Sequence, residues 1–484
     1  MKNSIRIILT LVSICLITSA YGASSDYVNL KNSLNSNSIP LINFTADIDS
    51  LNYDDYISGT VEIADYQKRN ISKQLTVKYN CLVKYRGASS TKYDKKSLAF
   101  KLVNKDGSKF EANILNLRKD DGWILDAMAI DRIRMRNRVC FDLWNELNRL
   151  PYETDYNGRS GTVGMFVEVF INGEYIGLYC LTDRINRDLL GLKKPDTTGG
   201  QVNIKGVLYQ GINWKESWNL LSYKDKPMDT LIWNAFELEY PTEYPSEQAW
   251  RPLVNLIDFC SDSTSRDTFQ LYWEKYFYKE NLIHYYVFTM ALFVGDNLYK
   301  NTFLVNPDIS AQTRFMILPW DMDFSLGGHW SGSYVETYST IDRYNYTAPY
   351  HRLFRYNMDG FINDIKNYWL SVYQYELSAT HVFSILDKYA QQFEKSGAWQ
   401  REYQKWNNRP VPLMESLNDE LDYVKTWYEY NHEQFSEQLD ILIQKTPLIR
   451  TDGAGKYYNL QGIPANGTSR GIQIHNNTKV YIAR

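Results

Sequence analysis

The sequence predicts an α+β protein, because strand-like patterns dominate residues 41–245 and helix-like patterns dominate residues 246–445. The first stretch contains short runs rich in β-branched and aromatic residues, separated by turn residues. In the second stretch, apolar residues recur every three or four positions over long distances. Strands followed by helices along one chain are typical of an α+β fold or of two lobes.

Composition identifies a globular chain and excludes one class of function. The chain has 484 residues, enough for two or three domains, and its 44% hydrophobic content excludes disorder along its whole length. A net charge of −3 argues against a dedicated nucleic-acid binder, which usually carries a basic excess. The 39 tyrosines suit a carbohydrate-facing surface as well as a large core.

Residues 1–22 have the pattern of a secretory signal peptide. Lys2 and Arg6 precede a short apolar run at 7–17, and small residues suited to cleavage follow it. The run is too short to span a membrane, and no later apolar stretch is long enough. We therefore expect a secreted or cell-surface protein without a transmembrane segment after cleavage. The polar, Asn- and Ser-rich residues 23–40 predict a linker.

The β-rich half contains one strong hairpin signal and one helix. Asn172 and Gly173 separate two strand-like runs, at 165–171 and 174–181, and this dipeptide favours a type I′ turn. Residues 136–147 carry apolar side chains at helical spacing. In the helical half we expect helices at 281–294, 357–377, 379–393 and 414–444. The tail, residues 450–484, predicts a small β segment, too short for a large core of its own.

Four cysteines remain after signal cleavage, Cys81, Cys140, Cys180 and Cys260, and their wide spacing argues against a structural zinc site. An oxidising compartment permits one or two disulfides, and four buried thiols are equally compatible with the sequence. The six histidines form no metal-binding or triad pattern.

A small-residue turn with nearby lysines could bind phosphate. Gly87, Ser89 and Ser90 lie between two predicted strands, where backbone N–H groups can approach a phosphate closely. Lys96 and Lys101 follow on the next strand and could neutralise phosphate oxygens. Taken alone, the segment is equally compatible with an ordinary hairpin turn.

Two acidic segments in the helical half could carry phosphoryl-transfer chemistry. Asp296 and Asn301 have the spacing of the hydroxyl-orienting carboxylate and the metal-binding amide in a kinase catalytic loop. Asp321 and Asp323 follow an apolar strand, a pattern typical of Mg²⁺ or Mn²⁺ ligands and also of a turn with capping aspartates. On the predicted helix at 136–147, Glu146 could pair with a strand lysine.

These segments occur in the chain order of a two-lobed kinase, and the sequence resembles the CotH (spore coat protein H) kinase family. The resemblance covers roughly residues 40–435 and rests on five stretches, at 86–97, 123–137, 167–185, 296–301 and 319–327. It implies an atypical, secreted, protein-kinase-like fold with a β-rich N-lobe at 41–245 and a helical C-lobe at 246–445. One departure is Asp183, where the family pattern has Glu.

The resemblance also implies roles for individual residues. Lys96 matches the nucleotide-phosphate lysine, with Lys101 as the alternative, and Asp296 matches the catalytic-loop aspartate. Asn301 and Asp321 match the metal ligands, and Asp323 is a supporting ligand or a structural residue. The implied cofactors are ATP with Mg²⁺ or Mn²⁺, and the implied reaction is phosphorylation of Ser/Thr on extracytoplasmic proteins.

Two functions therefore remain open from the sequence. The first is an active secreted kinase, and the second is a catalytically silent relative that acts as a surface scaffold or adhesin. The tail, through residues 458–462 and 471–480, resembles the C-terminal segments of proteins exported by a type 9-like route in Gram-negative anaerobes. It departs from them at residues 476–478. A sorting segment and a small β appendage without a sorting role are thus both compatible with the tail.

Overall fold

The computed structural model has the mixed α+β architecture that the sequence predicts. It describes residues 25–67, 73–154, 158–214, 219–298, 300–311, 313–335, 340, 344, 346–445, 457–459, 464–465, 471–475 and 478–482. The predicted signal peptide, residues 1–22, lies outside the described residues. The chain divides into two compact units that interleave along the sequence, and each is described by itself.

Unit 1 consists of the described residues of Met1–Ala129, Met165–Thr182 and Gln391–Pro410. Its centre is a closed seven-stranded barrel with the strand order β1-β2-β3-β4-β5-β7-β6. Strands β1 and β6 pair in parallel, and the register-defined pairs from β1 to β5 and from β5 to β7 are antiparallel. The strands are Leu41–Ala46 (β1), Ile57–Gln67 (β2), Lys73–Arg86 (β3), Ser97–Val103 (β4), Gly122–Asp126 (β5), Gly164–Ile171 (β6) and Glu174–Thr182 (β7).

The predicted hairpin between β6 and β7 is confirmed. Asn172 and Gly173 both adopt positive φ angles, 52° and 85°, as a type I′ turn requires. The Asn172 side chain also bonds across to β1, since its Oδ1 accepts from the amide of Ala46 at 3.1 Å. The turn therefore fixes both the hairpin and its register against β1.

The segment predicted as a linker at 23–40 contains a helix, α1 (Asp26–Asn32), that packs on the barrel. Ser25 caps its N-terminus by accepting from the Val28 amide. Tyr27 is buried against Phe170, with ring centroids 5.3 Å apart, and its hydroxyl donates to Glu62 at 2.6 Å. Three apolar side chains, Tyr27, Leu30 and Leu34, pack against the barrel here. So few apolar residues in a polar stretch do not show in its composition.

A late segment of the chain returns to the barrel. Residues 391–410 contain the end of α9 (Ala379–Ser396) and all of α10 (Ala398–Trp406), and they belong to unit 1. Arg401 of α10 makes a two-pronged ion pair with buried Glu168 on β6, both N···O distances being 2.7 Å. The predicted boundary near residue 245 therefore does not coincide with the division into units.

Unit 2 consists of the described residues of Ile130–Gly164, Asp183–Ala390 and Val411–Arg484. Its antiparallel sheet has the order β12-β11-β8-β10-β9 and draws strands from both predicted halves. The strands are Val207–Gly211 (β8), Ile232–Trp233 (β9), Phe236–Tyr240 (β10), Thr302–Asn306 (β11) and Met316–Pro319 (β12). The helices are Arg136–Leu147 (α2), Arg187–Leu190 (α3), Glu247–Cys260 (α4), Arg266–Tyr276 (α5), Lys279–Ala291 (α6), Tyr350–Tyr356 (α7), Phe361–Val372 (α8), most of α9 and Leu417–Lys445 (α11).

Helix α6 is the buried helix of unit 2, because apolar side chains surround it on all sides rather than forming one stripe. The side-chain amide of Asn281 on this helix donates to the Ile317 carbonyl of β12 at 3.0 Å and accepts from the Ile317 amide at 2.7 Å. A buried amide that bonds both groups of one residue fixes the helix to the sheet.

The four described cysteines are buried free thiols. Burial raises the pKa of Cys81 and that of Cys140 to about 12. Of the two alternatives open from the sequence, the structure therefore has the thiols rather than disulfides. Within the described part of the chain, no helix combines the length and the apolarity needed to cross a membrane.

The tail forms a separate four-stranded sheet with the order β14-β13-β15-β16. Its strands are Tyr457–Asn459 (β13), Pro464–Ala465 (β14), Gly471–His475 (β15) and Thr478–Ile482 (β16). Every register-defined partner of these strands is another tail strand.

We predict that removal of residues 450–484 leaves the remaining fold intact, because the tail strands pair with one another. Differential scanning calorimetry of the mature protein and the truncated form should give melting temperatures within about 2 °C. Loss of cooperative melting in the truncated form would instead make the tail part of the folding core.

We also predict acid destabilisation through His284 of α6. Burial lowers its pKa from 6.5 to about 4, and its Nδ1 lies 3.1 Å from Asn148 Oδ1. Between pH 6.5 and 4 the unfolded chain binds a proton that the folded chain does not, so stability falls as pH falls. This histidine contributes a slope of up to about 1.4 kcal/mol per pH unit.

The variant His284→Phe keeps the stacking on Tyr368, whose ring centroid is 3.9 Å away, and removes the titrating group. Urea unfolding at several pH values should therefore show a shallower slope between pH 6.5 and 4 in the variant. An unchanged slope would show that His284 does not titrate on unfolding.

Candidate active site

The acidic residues predicted from the sequence lie in two neighbouring loops of unit 2. The first loop, residues 292–301, joins α6 to β11 and carries Asp296 and Asn301. The second, residues 320–326, follows β12 and carries Asp321 and Asp323. Because β11 and β12 are antiparallel, with Thr302 opposite Pro319, the start of one strand meets the end of the other. Asn301 directly precedes β11 and Asp321 lies two residues after β12, so the sheet places both residues at the same end of this strand pair.

Backbone hydrogen bonds join the two loops along their length. The amide of Leu326 donates to the Leu292 carbonyl, and that of Gly295 donates to the Phe324 carbonyl, both at 2.9 Å. At the other end the amide of Trp320 donates to the Asn301 carbonyl, also at 2.9 Å. The loops therefore form one unit rather than two independent connections, and we call them the paired loops.

The side chain of Asn297 reinforces this pairing from inside. It is 1% exposed, and its amide donates to the Trp320 carbonyl at 2.8 Å while accepting from the Trp320 amide at 3.1 Å. Its own carbonyl accepts from the Tyr285 hydroxyl of α6 at 2.5 Å. Sequence reasoning included Asn297 in a matched stretch but gave it no role, because only the fold shows which backbone it meets.

Asp296 itself is 9% exposed and pairs with Lys300, one helical turn along the chain. The Lys300 ammonium lies 2.8 Å from Asp296 Oδ2. The sequence signal for this partner is the spacing of four residues, which can bring two side chains to the same face of a helical turn.

Backbone strain concentrates in the paired loops. Four residues that are not glycine adopt left-handed φ angles there, namely Phe293 (51°), Asn301 (54°), Asp321 (53°) and Leu326 (47°). Asn and Asp tolerate this conformation better than Phe or Leu. Such strain persists only where surrounding contacts impose it, and it clusters at functional sites.

A segment before and within α2 supports the second loop. Asp131 accepts from the amides of Met135 and Arg136, each at 2.7 Å, and pairs with the Arg136 guanidinium. Asn137 then accepts from the Met322 amide at 3.1 Å, between the two acidic residues of the loop. Asp131, Arg136 and Asn137 therefore hold the second loop in place from the start of α2.

The residues at the strand ends carry oxygen atoms of the kind that hard divalent cations take as ligands. Across the described residues, no three His, Cys, Asp or Glu side chains cluster as a metal site would require. Mg²⁺ in phosphoryl-transfer sites typically takes one or two carboxylates, with phosphate oxygens and water completing its shell. Asp321 and Asp323, with the amide of Asn301, are a donor set of that kind.

The phosphate-binding residues predicted in the β-rich half lie in unit 1. Gly87 has a φ of 137°, which residues with a side chain rarely adopt, and it precedes the 3-10 turn Ser89–Lys92. Lys96 donates to the Thr91 carbonyl of this turn at 2.7 Å. Lys101 lies over the Tyr56 ring, 4.9 Å from its centroid.

The neighbouring lysine, Lys95, has a different role that the sequence did not reveal. Its side chain is fully buried and pairs with fully buried Glu402 of α10 at 2.6 Å, and it also donates to the Leu178 carbonyl. Glu402 accepts in turn from the Leu178 amide at 2.8 Å. Gly177 makes room for the pair, since a Cβ there would lie 2.8 Å from Lys95 Cε. Of the two adjacent lysines, Lys96 is the one with an accessible side chain.

Two further acidic residues have structural partners in unit 2. Glu146 Oε2 lies 2.7 Å from His381 Nε2. The predicted pairing of Glu146 with a strand lysine stays a prediction. Asp183, the departure from the family pattern, is buried and accepts from the Val163 amide at 2.8 Å and from Arg159 at 2.9 Å. The two carboxylate oxygens of Asp183 therefore bond the chain at residues 159 and 163.

Comparison with known families agrees with the resemblance. The family model described as CotH kinase protein matches residues 83–435, from within β3 to within α11. Since the match spans most of the sequence, the chain belongs to the CotH kinase family, and at this level it is a kinase-like protein. No curated protein matches it significantly.

We predict that the two adjacent lysines differ sharply in their effect on stability. Lys95→Met leaves Glu402 as an uncompensated buried charge and should lower the free energy of unfolding by about 3–5 kcal/mol. Lys96→Met, the matched control, should lower it by less than about 1 kcal/mol. Chemical denaturation measures both, and equal effects would contradict the assignment of Lys95 to the buried pair.

Proposed function

We propose that the protein is a secreted protein kinase that transfers the γ-phosphoryl group of ATP to Ser or Thr of extracytoplasmic proteins. One observation carries the proposal: hydrogen bonds pair the loop of Asp296 with the loop of Asp321 in a chain of the CotH kinase family. A carboxylate for the acceptor and donors for a metal are thereby brought to one end of one sheet. The proposal includes a two-lobed kinase-like fold, supported by a β-barrel unit and a largely helical unit.

The reaction needs little covalent participation by the protein. The acceptor hydroxyl oxygen bonds to the γ-phosphorus as the bond from that phosphorus to the ADP oxygen breaks, and the hydroxyl proton leaves to a base or to water. Asp296 is the residue proposed to accept the hydroxyl hydrogen and orient the oxygen. Lys300, at 2.8 Å, holds this carboxylate through Oδ2.

Asn301, Asp321 and Asp323 are the residues proposed to hold Mg²⁺ or Mn²⁺, and Lys96 is proposed to contact the nucleotide phosphates, with Lys101 as the alternative. When bound, the cation supplies positive charge that neutralises the phosphate oxygens. The left-handed φ angles at Asn301 and Asp321 support this assignment, because such backbone conformations cluster at functional sites. The backbone of Gly87, Ser89 and Ser90 is proposed to approach the phosphates.

Secretion forms part of the same proposal and rests on the signal-peptide pattern of residues 1–22. It restricts the acceptors to extracytoplasmic proteins and leaves the thiols, which are buried, protected from that environment.

A silent surface scaffold is the second candidate, and one observation favours it. Asp296 is largely buried and already engaged by Lys300. A carboxylate that is already paired with a neighbouring lysine can stabilise the fold without taking part in catalysis. The two candidates differ in whether the wild-type protein binds metal-ATP and transfers phosphate.

The test uses mature protein with γ-labelled ATP, Mg²⁺ or Mn²⁺, and a mixture of extracytoplasmic proteins as acceptors. Asp321→Asn removes a ligand charge and should weaken metal–nucleotide binding, and Lys96→Ala should do the same through the phosphates. Asp296→Asn should spare ATP binding and lower turnover by roughly 10²-fold or more. Asp419→Asn, an exposed aspartate on α11, is the matched control and should leave both unchanged.

Equal turnover in the Asp296→Asn, Asp321→Asn and wild-type proteins would show that these residues are not the site. Absence of ATP binding by wild-type protein with either metal would favour the scaffold.

A further inference from the structure

A short hairpin directly follows the second of the paired loops. Gly328 and Tyr334 form its antiparallel bridge, and the amide of His329 donates to the Ser333 carbonyl at 3.0 Å. The Tyr423 hydroxyl of α11 lies 3.0 Å from the Gly327 carbonyl oxygen and 2.9 Å from that of Val335, and its single hydrogen is shared between them. Because α11 anchors both of its ends, the hairpin has a fixed position beside the loops.

One aromatic ring, that of Phe324, contacts both the imidazole of His329 and the loop that carries Asp296. The Phe324 ring covers Gly295, where a Cβ would lie 2.2 Å from the ring, and Gly295 precedes Asp296 in the chain. His329 packs edge-on against the same Phe324 ring, with centroids 5.0 Å apart. Burial lowers the pKa of His329, and the negative charge of Asp296 opposes this lowering. His329 is therefore within electrostatic reach of the proposed catalytic carboxylate.

The hairpin also selects one tautomer of this histidine. The backbone amide of Ser331 points at His329 Nδ1 from 3.3 Å, and an amide can only donate. The Ser331 hydroxyl lies 2.7 Å from the same nitrogen. Nδ1 therefore accepts, which places the ring proton on Nε2 and favours the neutral imidazole. The result is an oriented N–H donor of fixed tautomer.

We propose that His329 is a further catalytic residue, whose Nε2–H donates a hydrogen bond to an oxygen of the phosphoryl group during transfer. The inference rests on the proposed kinase function. His329 neither gains nor loses a proton in this step. Its N–H stabilises negative charge on the phosphoryl oxygens while the bond to ADP breaks and the bond to the acceptor oxygen forms. A neutral donor is suited to this, because it needs no rearrangement as charge develops.

The six histidines gave no pattern in the sequence, and this role depends on contacts that only the fold creates. Gly295 and Phe324 are far apart in the chain, and the paired loops bring them together.

The test compares two amide replacements at one position. The side-chain amide of Gln reaches the place of Nε2 and can donate there, whereas that of Asn reaches only the place of Nδ1. His329→Asn should lower kcat by about 10²-fold, comparable to the loss of one transition-state donor, and leave KM for ATP unchanged. His329→Gln should retain kcat to within about tenfold. Both variants should have the same melting temperature as the wild type.

Three results would overturn the inference. If the wild type transfers phosphate and His329→Asn is equally fast, His329 has no role and the kinase function stands. If Asn and Gln lose kcat equally, the Nε2 position is not the donor. If the wild type binds metal-ATP but transfers no phosphate to any acceptor, the proposed function fails, and the role of His329 fails with it.

Discussion

The buried side chain of Asn297 holds together the two loops on which the proposed site depends. Its amide satisfies both backbone groups of Trp320, at 2.8 and 3.1 Å. An unpaired backbone group in this interior would cost about 1–3 kcal/mol, so the contact is strongly favoured once the loops meet. Replacing Asn297 by an apolar residue would remove both of these bonds, and the Trp320 amide would keep its bond to the Asn301 carbonyl, at 2.9 Å. The position of Asp296 relative to Asp321 therefore depends on an amide without a chemical role of its own.

The same loops carry the strain that the rest of unit 2 must support. Phe293 and Leu326 have left-handed backbones at a cost of about 1 kcal/mol or more each. Both are largely or fully buried, and Phe293 packs edge-on against Phe324 and Trp427. Apolar packing thus fixes the ends of the loops, while Asp131, Arg136 and Asn137 support the second loop through its backbone. A site preformed in this way needs little reorganisation when a ligand arrives.

Much of the local structure follows from patterns close together in the sequence. The helix at 136–147 has the predicted bounds, and Asn172–Gly173 forms the predicted turn. Both depend on neighbours within a few positions, through helical periodicity in one case and φ > 0 in the other. The family also follows from short motifs, and the match over residues 83–435 confirms it.

What the sequence did not predict depends on partners far along the chain. Lys95 and Glu402 are 307 positions apart, and no local pattern connects them. For that reason the return of α10 to the barrel was missed, and the predicted boundary near 245 does not follow the units. Likewise, α1 was predicted as a linker because its one buried ring, Tyr27, is hidden in a polar stretch. His329 was passed over because its neighbours come from a different loop.

The central claim is that the paired loops bind a divalent cation together with ATP. Crystals of the mature protein grown with Mn²⁺ and a non-hydrolysable ATP analogue would test it through the anomalous signal of manganese. The account predicts a manganese peak at bonding distance from Asp321 and Asn301, lost in crystals of Asp321→Asn. A nucleotide bound with its manganese away from these residues, or no nucleotide bound at all, would contradict it.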